Sequence, residues 1–145
     1  MKINISLVII VILFSFVVFG CTSPINKSKD YFYYYNNEKI FLNLIGERNG
    51  SLLFTARESG QKLILTDEFL VKLKHEVDAK QLELLNKKYN IQPVKNMLYT
   101  KDEFVLKVTP ATKMNSLDMA NIYNNEPIIQ WSAPNWIREY DLNKK

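Results

Sequence analysis

The chain has 145 residues and a formal net charge of +4, and a chain of this length is expected to form one domain. Acidic and basic residues are interspersed along it, which predicts a solvated surface and no nucleic-acid partner. Its single cysteine excludes an intramolecular disulfide bond.

The N-terminus has the pattern of a secretory leader. Lys2 is followed by an apolar run from Ile5 to Phe19, which is shorter than the roughly 20 residues that a membrane-spanning helix needs. A short basic segment, an apolar segment and a small residue together predict a signal peptide over residues 1–20.

The leader ends in Gly20-Cys21, which resembles a bacterial lipobox, although Phe19 stands where a small residue is usual. The resemblance implies that Cys21 is lipidated, with palmitate among its acyl chains, because two or more chains anchor a protein stably where one does not. The expected location is the cell envelope, on the outer membrane or cell surface of a Gram-negative bacterium. An ordinary signal peptide with an incidental cysteine is the alternative. Residues 21–30 are predicted to be the lipidated tether.

Aromatic residues on both sides of an Asn-Asn pair predict a β-hairpin. Residues 31–35 precede Asn36-Asn37 and residues 38–44 follow, and asparagine tolerates the positive φ of a two-residue turn. We assign residues 31–67 to this N-terminal hairpin region, in which residues 45–67 have the weakest pattern. An aromatic platform for sugars is a further possibility for the tyrosine run.

Strands and helices alternate in the rest of the chain. Asp78 and Asn115 are placed to cap two helices that end near Asn90 and Asn124. Strands are predicted over residues 68–74, 91–99, 103–108 and 128–132. The order from Glu68 is therefore β-α-β-β-α-β. It predicts an α+β, ferredoxin-like sandwich over residues 68–137, with a four-stranded antiparallel sheet and two helices, preceded by the N-terminal β-hairpin.

Alternation along the strands divides the predicted sheet into a core face and an opposite face. The helices are expected to cover the core face, and the residues of this core are Phe69, Val71, Leu73, Leu82, Leu85, Tyr89, Phe104, Leu106, Val108, Leu117, Ala120 and Tyr123. Leu70, Lys72, Val105 and Lys107 fall on the opposite, exposed face. The alternative is that the N-terminal hairpin packs over Leu70 and Val105 and covers this face.

Residues for catalysis or cofactor binding are scarce. His75 is the only histidine, and without a second histidine or a cysteine pair the sequence predicts no metal site. The four glycines form no phosphate-binding loop. We therefore expect a protein that is not an enzyme and that holds no cofactor.

Two segments resemble the prodomain of subtilisin-like serine proteases of Bacteroidetes type. Residues 129–136, Ile-Gln-Trp-Ser-Ala-Pro-Asn-Trp, are similar to the phrase that ends this prodomain, and residues 31–42, YFYYYNNEKIFL, are similar to the hairpin that opens many of the precursors. Together the two resemblances cover most of residues 31–137. The remaining residues 138–145 are too few to hold a protease domain, so we expect a stand-alone prodomain-like protein.

The resemblance implies an inhibitor or folding chaperone whose partner is a subtilisin-like serine protease. In that family the prodomain sheet packs on the protease and the C-terminal tail enters the active-site cleft. The implied sheet-face contacts are Leu70, Lys72, Val105 and Lys107, and the implied tail contacts are Arg138, Glu139, Tyr140, Asp141, Leu142 and Asn143. Two alternatives stay open: a surface lipoprotein that binds another ligand, and a remnant of a truncated protease gene.

Overall fold

The computed structural model describes residues 29–97 and 100–139. These residues form two helices, α1 (Ala79–Tyr89) and α2 (Ser116–Asn124). They also form seven strands: β1 (Tyr31–Tyr35), β2 (Glu38–Arg48), β3 (Ser51–Ala56), β4 (Lys62–Leu73), β5 (Gln92–Asn96), β6 (Glu103–Lys107) and β7 (Ile129–Arg138).

All seven strands belong to one antiparallel sheet, which curls into a half-barrel. β4 is the strand that joins its parts. The beginning of β4 pairs with β3, and its second half pairs with β6 over residues 68–72. The other edge of β4 pairs with β7 from Leu63 to Leu73. β2 and β1 continue the sheet beyond β3, and β5 continues it beyond β6.

The predicted ferredoxin-like sandwich is therefore wrong. The strands and helices expected from Glu68 onward are present, but β1, β2 and β3 join the same sheet, and the protein is mostly β. The physical reason is the length of β4, which begins at Lys62 rather than at Glu68. Its early residues Leu63 and Ile64 pair with β3, so the N-terminal strands extend the sheet and do not precede it.

Local signals in the sequence are confirmed at the turn and at the helix ends. Asn36 and Asn37 have φ values of 49° and 65° and form the two-residue turn between β1 and β2. The Asp78 side chain accepts a hydrogen bond from the Lys80 N–H at 3.0 Å, and the Asn115 side chain caps α2 in the same way. Asn90 ends α1 in the left-handed conformation.

Two clusters of buried side chains stabilise the sheet and helices. The first lies against both helices and consists of Phe69, Val71, Leu73, Leu82, Leu85, Ile91, Phe104, Leu106, Met119, Ala120, Tyr123 and Ile129, with Tyr89 and Val108 partly buried beside it. The second lies against β2, β3 and the beginning of β4 and consists of Leu42, Phe54, Ala56, Leu63, Leu65 and Leu117. Leu117 was expected in the first cluster, but it packs in the second, so α2 connects the two.

The helices also contact each other through a polar pair. The Tyr123 hydroxyl donates a hydrogen bond to Asn86 Oδ1 at 2.8 Å, and both residues are buried. Burial raises the pKa of Tyr123 above its usual range, because the surroundings disfavour the phenolate. The hydroxyl therefore stays protonated and keeps this bond at neutral pH.

No helix within the described residues is long and apolar enough to span a membrane. The predicted signal peptide and Cys21 lie outside the described residues, so their assignments stay predictions.

Replacing Leu85 by alanine should destabilise the protein by about 2–5 kcal/mol, because this side chain is 8% exposed and packs in the first cluster. Leu84→Ala is the matched control, since Leu84 lies next to it on α1 but is 66% exposed, and its effect should stay within about 0.5 kcal/mol. Chemical denaturation measures both. Equal losses in the two variants would show that the facing of α1 is wrong.

Candidate functional site

Helix α2 bonds two of the three edge strands of the described sheet, β1 and β7, whereas the third, β5, pairs only with β6. Within the described strands, β1 pairs only with β2, and β7 pairs only with β4. Asn121 Nδ2 donates a hydrogen bond to the carbonyl of Phe32 in β1 at 2.7 Å. Asn124 bonds both main-chain groups of Ser132 in β7: it accepts from the N–H at 2.7 Å and donates to the carbonyl at 2.5 Å. The two carboxamides therefore occupy positions that a further strand would take.

A groove of about 800 Å³ lies between the β1–β2 turn, the end of α2 and β7. Aromatic and carboxamide side chains dominate its lining. The aromatic residues are Tyr33, Tyr34, Tyr35, Trp131 and Trp136, and the carboxamides are Asn36, Asn37, Asn124, Asn125, Gln130 and Asn135. Leu70, Ala133, Pro134 and Arg138 complete it. Within the described part of the chain, no acidic side chain lines the groove.

One wall of the groove is braced by edge-on aromatic contacts. The Tyr33 and Trp136 ring centres are 5.5 Å apart, and Trp136 packs on Phe54 at 5.9 Å. Burial raises the pKa of the Tyr33 hydroxyl, and the nearby positive charge of Arg138 partly opposes that shift. This wall is therefore a continuation of the second buried cluster, which keeps its aromatic rings in place.

The four residues predicted for the sheet face have different environments. Leu70 is half-buried and lines the groove. Lys72 Nζ lies 3.1 Å from a carboxylate oxygen of Glu103, and Lys107 Nζ lies 2.7 Å from one of Asp67. The hydrogen bond to its acidic neighbour raises the pKa of each lysine. The two lysines therefore already have anionic partners within the sheet.

Val105 was expected to be exposed, but it is only 3% exposed. Its strand β6 lies between β4 and β5, where Leu70 and Lys95 are its cross-strand neighbours. Neighbours on both sides leave a short side chain such as valine little access to solvent. Of the two apolar residues predicted for this face, only Leu70 is therefore in a position to contact a partner directly.

The first two residues of the predicted tail are bound to the folded sheet. Strand β7 extends well past Ser132 and ends at Arg138, which pairs with Leu63 in β4 and lines the groove. Glu139 forms ion pairs with Arg48 at 3.2 Å and with Lys62 at 3.0 Å. The other predicted tail residues, Tyr140, Asp141, Leu142 and Asn143, lie outside the described residues.

The sequence did not indicate the tryptophans or the α2 asparagines as site residues. Trp131 and Trp136 are five positions apart in a strand, and that odd spacing predicts opposite faces. Both nevertheless line the groove, because β7 is an edge strand and the groove contacts both of its faces. Asn121 and Asn124 have no signal of their own, since polar residues are ordinary near the end of a short helix.

The described residues contain no group of three His, Cys, Asp or Glu side chains that could hold a metal ion. The His75 side chain is exposed, and its Nδ1 atom lies 3.6 Å from Oε1 of the adjacent residue Glu76. Comparisons with protein-family models, curated proteins and solved structures found no match for this chain. The groove and the sheet surface beside it are therefore the features on which a function is proposed.

Two buried serines beside these features give a matched test of hydrogen bonding. Ser132 Oγ is buried without a hydrogen-bond partner among the described residues, whereas Ser116 Oγ donates to the Thr66 carbonyl at 2.5 Å. Ser132→Ala should stabilise the protein by about 1 kcal/mol or leave its stability unchanged, and Ser116→Ala should destabilise it by about 1–3 kcal/mol. Thermal and chemical denaturation measure both. A larger loss in Ser132→Ala than in Ser116→Ala would contradict these assignments.

Proposed function

We propose that this chain is a lipid-anchored binding protein of the cell envelope, with a protein partner that docks on the helix-free face of the sheet beside the groove. The observation that carries this proposal is a partly exposed apolar strip on that face. Leu70 in β4 is the cross-strand neighbour of Ala133 in β7. The next pair on the same face is Lys72 and Trp131. All four are half-buried. The apolar members of the strip, Leu70, Trp131 and Ala133, also line the groove.

The chemistry of this surface suits a protein partner. Tyrosine, tryptophan and arginine are the residues most enriched where protein interfaces bind tightly, because they combine a large apolar area with a polar group. Here Trp131, Tyr35 and Arg138 lie around one concavity. Tyr35 is 61% exposed, so it is accessible to a partner without rearrangement of the core.

The partner that we propose is a subtilisin-like serine protease, which the protein would inhibit or help to fold. The support is the sequence resemblance of residues 31–42 and 129–136. Leu70 and Arg138, two of the residues to which the resemblance assigns protease contact, line the same groove. The tail contact is proposed for Tyr140 to Asn143, which follow β7 directly.

A neutral saccharide is the second candidate ligand. Carboxamides both donate and accept hydrogen bonds, as sugar hydroxyls do, and the groove combines six of them with aromatic rings. Several of these amides already have partners within the protein: Asn124 bonds Ser132, and Asn135 bonds Glu68 at 3.0 Å. This prior use reduces the number of amides available to a sugar, and it is the reason that we favour the protein partner.

The membrane anchor is proposed at Cys21. The apolar run that ends at Gly20-Cys21 supports it, together with the tether of residues 21–30, which leads directly into β1. Such an anchor would keep the groove within reach of envelope proteins.

Inhibition of a purified subtilisin-like protease from the same envelope tests the docking proposal. The protein should slow cleavage of a chromogenic peptide, and both Trp131→Ala and Leu70→Asp should weaken inhibition at least tenfold, which is about 1.4 kcal/mol. Leu84→Asp is the control, because Leu84 is equally apolar but lies on α1, outside the groove. Circular dichroism checks that each variant folds.

Truncation separates the tail from the sheet surface. The deletion should remove residues 140–145 only, because Arg138 and Glu139 are bound in the sheet. Weaker inhibition with an intact fold would support the tail contact. If the parent protein inhibits no protease of the envelope but a neutral oligosaccharide shifts the fluorescence of Trp131, the proposed partner is wrong and the second candidate replaces it.

A further inference from the structure

The β1–β2 hairpin carries an aromatic patch on the face of the sheet opposite the buried clusters. We define the aromatic patch as Phe32, Tyr34 and Phe41. The ring centres of Phe32 and Tyr34 are 5.6 Å apart, and those of Phe32 and Phe41 are 6.3 Å apart. Of the alternate residues of the same strands, Leu42 belongs to the second cluster and Tyr33 packs against it, so the aromatic patch faces away from the core.

Part of the aromatic patch is accessible, since Phe32 and Tyr34 are half-buried and Phe41 is exposed. Phe41 is 40% exposed, and Ile45, further along β2, is 48% exposed. Large apolar side chains that cluster on a surface and have no internal partner indicate an interaction site, whereas single ones do not. This surface has no part in the groove proposal except Tyr34, which also lines the groove.

Two cations lie over the rings of the aromatic patch. Lys39 Nζ lies 4.6 Å from the ring centre of Phe32 and 5.8 Å from that of Tyr34. The Arg57 guanidinium lies 5.4 Å from the ring centre of Phe41 and also pairs with Asp30 at 2.9 Å. Aromatic rings with lysine and arginine beside them are typical of the headgroup region of a membrane, where the rings are half-immersed and the cations contact phosphates.

The tether limits how far this hairpin can lie from the membrane in which Cys21 would be anchored. Tyr31, the first residue of β1, is ten positions after Cys21, and ten residues span at most about 36 Å when fully extended. An acylated Cys21 would therefore hold β1 within that distance of the bilayer. β1 and its neighbour β2 are the strands that carry the aromatic patch, so the membrane is the nearest large surface available to it.

We propose that the aromatic patch contacts the phospholipid surface of the membrane in which the chain is anchored, with Lys39 at lipid phosphates. The inference rests on the proposed anchor at Cys21. It adds a second membrane contact to the acyl chains and fixes how the domain is oriented, because the hairpin lies against the bilayer. An oriented domain presents the groove in a defined direction, which a tether alone does not achieve.

Quenching by brominated lipids tests the contact. The full chain, produced with its own leader, is reconstituted in vesicles of phosphatidylethanolamine and phosphatidylglycerol. Phe41→Trp places a reporter in the aromatic patch, and Leu84→Trp places one on the exposed side of α1. The emission added by Phe41→Trp should be quenched at least about twofold more than the emission added by Leu84→Trp. Equal quenching in the two variants overturns the proposal.

Charge reversal and flotation complete the test. Lys39→Glu in the Phe41→Trp background should reduce quenching, whereas Lys80→Glu on α1 should not, and equal effects overturn the role of Lys39.

Flotation of the chain with the vesicles reports the anchor separately: a chain that does not float refutes both the anchor and the contact. In a third outcome, the chain floats, and its reporter is shielded from aqueous acrylamide but is not quenched by lipid. A protein then covers the aromatic patch. This outcome overturns the membrane contact but not the anchor.

Discussion

The fold depends on one short helix, α2, that closes the edges of a curled sheet at β1 and β7. Exposed strand edges are a liability, because their unpaired main-chain groups attract other strands. Asn121 and Asn124 of α2 take up edge groups of β1 and β7 with three hydrogen bonds. Each such bond contributes about 0.5–1.5 kcal/mol net. Side chains rather than a further strand therefore hold the two edges, and the remaining gap forms the groove.

β4 has the corresponding role within the sheet. It borders the first buried cluster through Phe69 and Val71 and the second through Leu63 and Leu65, so both clusters depend on one strand. β7 follows β4 along its whole length and remains an edge strand. On this edge strand the half-buried residues Trp131 and Ala133 line the groove, and they belong to the surface proposed for the partner.

Local features were predictable from the sequence, and the pairing of distant strands was not. The cap at Asp78 and the turn at Asn36-Asn37 are set by neighbouring residues, so their signals lie within a few positions. The start of β4 has no such signal: residues 63–65 are all buried, and a continuous apolar run lacks the alternation that marks a strand. The groove could not be predicted from the sequence for the same reason. Its lining residues come from four separate elements that only the pairing of distant strands brings together.

Amide hydrogen exchange of Ser132, followed by NMR, tests the central claim that α2 closes the sheet edges. The Ser132 N–H bonds the Asn124 carboxamide, whereas the Tyr34 N–H, two positions after the bonded Phe32 carbonyl, faces away from β2 without a strand partner. We predict slow exchange at Ser132, fast exchange at Tyr34, and acceleration at Ser132 by about tenfold or more in Asn124→Ala. Equal exchange at Ser132 in the parent protein and in Asn124→Ala would contradict the account.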